Sequence, residues 1–254
     1  EQNEIVPNVF ETLTRVVEGA RVVPWLAVDY QMEEGGLRFR FRLREDVRFH
    51  DGRRLTARDV RYTFERLLQQ RYTSNHALLL PIRGARALAE GHVGDLEGFR
   101  IHAASEFSVE LESPLPLFAV MLTNPCMGIV PEGQRRFDGT WREQCAGTGP
   151  FRVVAFDPGV RLELERNPGY WREGYPRSEG LVFTLAMSPE QVMAEFRAGR
   201  LSLASGLAPA DVDALRHDPE FAARYYETPR LSIAYLALNA RSGPLAEPSL
   251  RRRV

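Results

Sequence analysis

His50 beside Asp51 is the pair most suggestive of chemistry, a general base next to an orienting carboxylate. Adjacent residues on an extended strand point to opposite faces, so they cannot make the His-to-Asp hydrogen bond that a triad needs. His50 therefore reads as a turn residue. Ser205-Gly206 and Ser242-Gly243 lack the Gly-x-Ser-x-Gly pattern of a nucleophile elbow. Gly147-Thr-Gly149 falls short of a dinucleotide fingerprint and of a P-loop, which needs a lysine. The chain has none: all 33 basic residues are arginine. The histidines at 50, 76, 92, 102 and 217 offer no i, i+4 pair for zinc. Cys126 and Cys145 have no metal-ligand spacing and form either one disulfide or two thiols. The residue types thus point to no catalysis, metal or cofactor.

The elements are legible from periodicity. Residues 37–43 alternate, with Leu37, Phe39, Phe41 and Leu43 on one face and Arg38, Arg40 and Arg42 on the other, which predicts a half-buried strand. Strand-like runs at 107–111, with Glu106 and Glu110, and at 161–164, with Glu163 and Glu165, are expected to supply charge opposite those arginines. Asp51-Gly52 marks a tight turn. Thr56 with Asp59 predicts a capped helix start, followed by a stripe of Val60, Phe64, Leu67 and Leu68. Further helices are expected at 82–90, 189–198 and 209–216, and an apolar run at 117–122. A hairpin is expected over 153–166, turning at Asp157-Pro-Gly159, and a last strand over 232–238, ending at Asn239. Strands and helices are interspersed without strict βαβ regularity, which predicts a mixed α/β or α+β protein.

The 254 residues carry 33 basic and 34 acidic side chains, a net charge of −1, with 44% hydrophobic and 26% charged residues. That balance argues against a nucleic-acid domain, which usually shows a basic excess, and it supports a globular core. No apolar run approaches the roughly 18 residues of a membrane span. Residues 1–4 lack the pattern of a secretory signal, so the chain is either cytoplasmic or begins after its signal.

Several motifs carry a resemblance. Asn8-Val-Phe-Glu-Thr-Leu13, Val23-Pro-Trp-Leu-Ala27, Val47-Arg-Phe-His-Asp-Gly52 and Leu55-Thr-Ala-Arg-Asp-Val60 come first along the chain. Gly147-Thr-Gly-Pro-Phe151, Arg166-Asn-Pro-Gly-Tyr-Trp171 and Tyr235-Leu-Ala-Leu-Asn239 follow. Together they resemble the family 5 extracellular solute-binding proteins, the dipeptide, oligopeptide and nickel receptors of bacterial ABC importers. The resemblance implies a type II periplasmic-binding-protein-like fold of the peptide-binding subclass, with the C-terminal lobe missing. Residues 1–146 would hold the small extra lobe, and 147–254 part of the main lobe. Family members are about twice as long and close two lobes over the ligand. The chain is accordingly expected to be a fragment that binds ligand weakly or not at all.

The implied function is ligand capture for an ABC importer, with peptides as substrate and membrane permease subunits as partners, by a monomer that is periplasmic or lipid-anchored at the cell surface. By resemblance the ligand side includes Phe10, Glu11, Tyr235 and Asn239. Phe10 reads equally as a core residue, and Asn239 as a turn residue ending a strand. The alternative is a ligand-sensing module of a cytoplasmic transcriptional regulator or signalling protein.

Overall fold

Alternation and capping decide the first half of the fold. The computed structural model describes residues 2–70, 74–134, 146–227 and 236–252. Helix α1 (Gln2–Val9) precedes a hairpin of β1 (Thr14–Val17) and β2 (Arg21–Pro24). A four-stranded antiparallel sheet follows, ordered β3-β4-β6-β5, from β3 (Ala27–Glu33), β4 (Arg38–Leu43), β5 (Phe99–Ala103) and β6 (Glu106–Glu110). Phe39, Phe41 and Leu43 are buried, while Arg40 and Arg42 are exposed. The buried face is built on stacked rings, Phe41 on Phe107 at 5.1 Å and Phe107 on Phe99 at 4.8 Å between centroids. Helix α2 (Ala57–Gln69) adds Val60, Phe64 and Leu68 to the same core.

The start of α2 is fastened by one carboxylate. Asp59 Oδ2 accepts from the Thr56 N–H at 2.8 Å and its hydroxyl at 2.7 Å, and Oδ1 accepts from the Glu132 N–H at 2.8 Å. Helix α3 (Ala85–Glu90) and the single turn α4 (Phe118–Met121) pack Leu88 and Phe118 into this core. A second antiparallel sheet, ordered β7-β8-β9, is formed by β7 (Phe151–Asp157), β8 (Arg161–Arg166) and β9 (Gly180–Thr184). Its core of Phe151, Leu162 and Leu164 includes Val9 from the end of α1.

Four expectations hold in part or not at all. The arginine face of β4 does lie in register with β6, Arg42 opposite Glu106 and Arg38 opposite Glu110. Its closest ion pairs, however, lie on the β3 side: Arg38 to Glu34 in the turn after β3 at 3.0 Å and Arg42 to Asp29 of β3 at 2.5 Å. The strand carrying Glu163 and Glu165 lies in the second sheet, where these residues pair with Arg161 and Arg152. The helix expected at 82–90 begins only at Ala85, because Gly84 takes φ 76° and Ile82 bridges to Leu111. Of the strand expected over 232–238, residues 232–235 lie outside the described residues; 236–238 form no ladder, and Leu236 is 71% exposed.

Two compact units divide the chain, residues 1–188 and 189–254. The boundary expected near 146 falls within the first, where residues 147–149 bond back to His50 and Val9. The second unit contains helices Pro189–Arg197 and Pro209–His217 around a small core of Met193, Leu215 and Phe221.

Candidate functional site

Helix α1 ends at Val9, and the next two residues diverge in fate. Glu11 is 5% exposed. Its Oε1 accepts from the Trp25 indole N–H at 2.7 Å and the Tyr170 hydroxyl at 2.8 Å, and its Oε2 accepts from the Trp171 indole N–H at 3.0 Å. The two indoles meet edge to face, 5.3 Å between centroids. The Arg44 guanidinium lies 4.3 Å from the centre of the Trp171 ring, and its Nε donates to the Trp25 carbonyl at 3.0 Å. Burial pushes the Glu11 carboxyl above its ordinary value, against the opposing effect of the donors from Trp171, Tyr170 and Trp25. Burial, reinforced by the neighbouring Glu11, likewise raises Tyr170 and keeps its phenol protonated as a donor.

A second knot lies at the turn 147–150. The Gly147 N–H donates to His50 Nδ1 at 3.2 Å, so that ring nitrogen is the acceptor and Nε2 carries the proton. Nε2 then donates to the Gly149 carbonyl at 3.0 Å, which also receives the Asn167 amide at 3.0 Å. Only glycine fits here: a Cβ on Gly147 would come within 1.8 Å of the Val9 carbonyl oxygen. His50 is thus the turn residue its sequence context predicts, with its ring spent on another turn.

Of the four residues expected at the ligand side, two are neighbours in one structure. Phe10, half-buried, lines a cleft of about 240 Å³ together with Val6, Leu67, Pro125, Gly128 and Val130, and with Arg66 and Gln70 among its polar lining. Glu11 faces the protein's own donors. Tyr235 lies outside the described residues. Asn239 is exposed, and its amide is used locally, Oδ1 accepting from the Arg241 N–H and Nδ2 donating to the Ser242 hydroxyl, both at 3.1 Å. Sequence reasoning missed Trp25, Tyr170 and Trp171 as partners of Glu11. The signal was present in the Pro24-Trp25 and Tyr170-Trp171 motifs, which converge on one carboxylate.

Comparison with known proteins gives this arrangement its setting. Residues 21–252 match the bacterial extracellular solute-binding proteins, family 5 Middle. The chain belongs to that family. It is 28% identical over 249 residues to di/tripeptide-binding protein 2 of Pseudomonas aeruginosa, covering 92% of this chain and 46% of that one. To the peptide transport periplasmic protein SapA of Salmonella typhimurium it is 26% identical over 254 residues, covering 91% and 43%. The substrate-binding domain of an oligopeptide ABC transporter from Bacillus anthracis superposes with a TM-score of 0.75 at 24% identity, over 85% of this chain and 43% of that one. The mixed α/β fold is therefore that of the periplasmic peptide-binding proteins, and the chain spans about half the length of the relatives it matches. No helix among the described residues is long and apolar enough to cross a membrane.

Proposed function

We propose that the protein is the ligand-capturing component of an ABC importer and that its ligand is a peptide. The observation that carries this reading is the family match over 21–252, with relatives whose names are those of peptide-binding proteins. Capture would occur between two lobes outside the cell membrane, and the closed form would be presented to a permease; near residue 146 the chain would pass from the small extra lobe back into the main lobe. The apolar cleft beside Phe10 has room for one side chain, in keeping with pockets that read alternate side chains of an extended peptide. Glu11 acts in this reading as a positioning residue, because its carboxylate is engaged by three protein donors, and it fixes the backbone on which Phe10 is carried. Tyr235 and Asn239 are proposed as ligand contacts on the family likeness alone.

The test is calorimetric titration of the full-length protein with di- to pentapeptides. Micromolar or tighter binding is expected, weakened about tenfold by Phe10→Ala, a loss of about 1.4 kcal/mol. Binding of a nickel chelate or a sugar in place of every peptide would overturn the substrate class, and an unchanged affinity in Phe10→Ala would remove the cleft from the site.

A further inference from the structure

Arginines and aromatic rings alternate beside the Glu11 cluster. The Arg15 guanidinium lies 4.6 Å from the centre of the Trp25 ring, and that of Arg172 lies 5.7 Å from the same ring. Arg172 also lies 4.0 Å from the Tyr175 ring, and Arg177 lies 5.6 Å from Tyr175 on the next rung. Arg15, Arg172, Arg177 and Tyr175 are all exposed. Among the described residues none of these three arginines forms an ion pair, whereas Arg38, Arg42, Arg83 and Arg200 each face a carboxylate.

A ring face holds a guanidinium by its quadrupole without neutralising it. The fork of N–H donors stays open, and much of the side chain's freedom is already lost, so less is lost again when a carboxylate arrives. Arginine, tryptophan and tyrosine are also the types enriched where protein interfaces are strongest. Trp25 itself is anchored from beneath, its indole N–H bound to Glu11.

We propose that this ladder is a docking surface for an acidic segment of a protein partner, with Arg15, Arg172 and Arg177 receiving its carboxylates. An extended chain with acidic residues at alternate positions presents its carboxylates on one face, so several can meet the guanidiniums at once. A lipid surface fits less well. Trp25 is half-buried beneath its arginine, and membrane-seeking patches need projecting apolar side chains. The surface is independent of which ligand the protein captures.

The probe is a fluorescein-labelled decapeptide of alternating glutamate and serine, titrated by anisotropy into the full-length protein. Saturable binding that weakens as salt rises is expected, at least tenfold weaker in the Arg15→Gln, Arg172→Gln double variant and about threefold weaker in Arg177→Gln. Arg58→Gln, on exposed α2 surface outside the ladder, should bind as the unaltered protein does. Thermal unfolding of each variant checks that the fold is retained. Equal binding by the double variant and the unaltered protein would overturn the proposal, as would no saturable binding, or arginine-dependent binding to phosphatidylglycerol vesicles without binding to the peptide.

Discussion

Glu11 gathers three donors around one buried carboxyl, whose ionised form the hydrogen bonds favour and burial opposes. Truncation by Glu11→Ala strands two indole N–H groups and a phenol, each costing about 1–3 kcal/mol when buried without a partner. A loss of about 3 kcal/mol or more is expected in denaturant unfolding. Glu11→Gln keeps an oxygen for Trp25 and Tyr170 but turns an amide N–H₂ towards the Trp171 N–H, so a smaller loss of about 1–2 kcal/mol is expected. The pH dependence follows from the raised carboxyl. A carboxyl that titrates higher when folded than when unfolded binds its proton more tightly in the native state. Its contribution is full below the ordinary value of 4.5 and is lost as pH climbs through the raised value. Unfolding measured across that span should show the unaltered protein losing stability relative to Glu11→Gln; parallel profiles for the two would contradict the upward shift.

At the scale of elements, the turn 147–150 shows how spacing alone can decide a glycine. Gly159 sits at φ +78° in the β7–β8 turn with open space where a Cβ would go, so Gly159→Ala should cost about 1–2 kcal/mol of left-handed strain. At Gly147 the same substitution drives a methyl into the Val9 carbonyl, backbone against backbone, and about 3 kcal/mol or more is expected. Thermal unfolding of both variants ranks them, and a Gly147→Ala protein as stable as Gly159→Ala would refute the close approach. The sequence shows such elements unevenly. The capped start of α2 and the alternation of β4 were readable because their causes lie within a few residues. The ion-pair partners of β4 were not, since Asp29 and Glu34 belong to a strand and turn whose own alternation is weak. Glu11 was legible as a residue of interest but not as a hub, because its donors lie 14, 159 and 160 positions away.

For the whole molecule, the distribution of buried side chains sets which parts hold longest. The largest core runs through β4, β6 and α2 and contains Phe39, Phe41, Phe64, Phe107 and Phe118, each fully buried. Within residues 189–254 the described core is Met193, Leu215 and Phe221, each 6–9% exposed, with Phe196 and Leu207 packed against it. Burying a large apolar side chain contributes about 1.5–3 kcal/mol, and ordering each residue's backbone costs about 1–2 kcal/mol. The smaller core therefore has far less to set against local opening, and opening free energies vary across a protein accordingly. Native-state hydrogen exchange should find the slowest amides in β4, β6 and α2. Those of helices Pro189–Arg197 and Pro209–His217 should exchange about a hundredfold faster, a gap of about 2.8 kcal/mol. Equal protection in both regions would mean that the second unit opens only together with the first, and that its three-residue core is not what limits it.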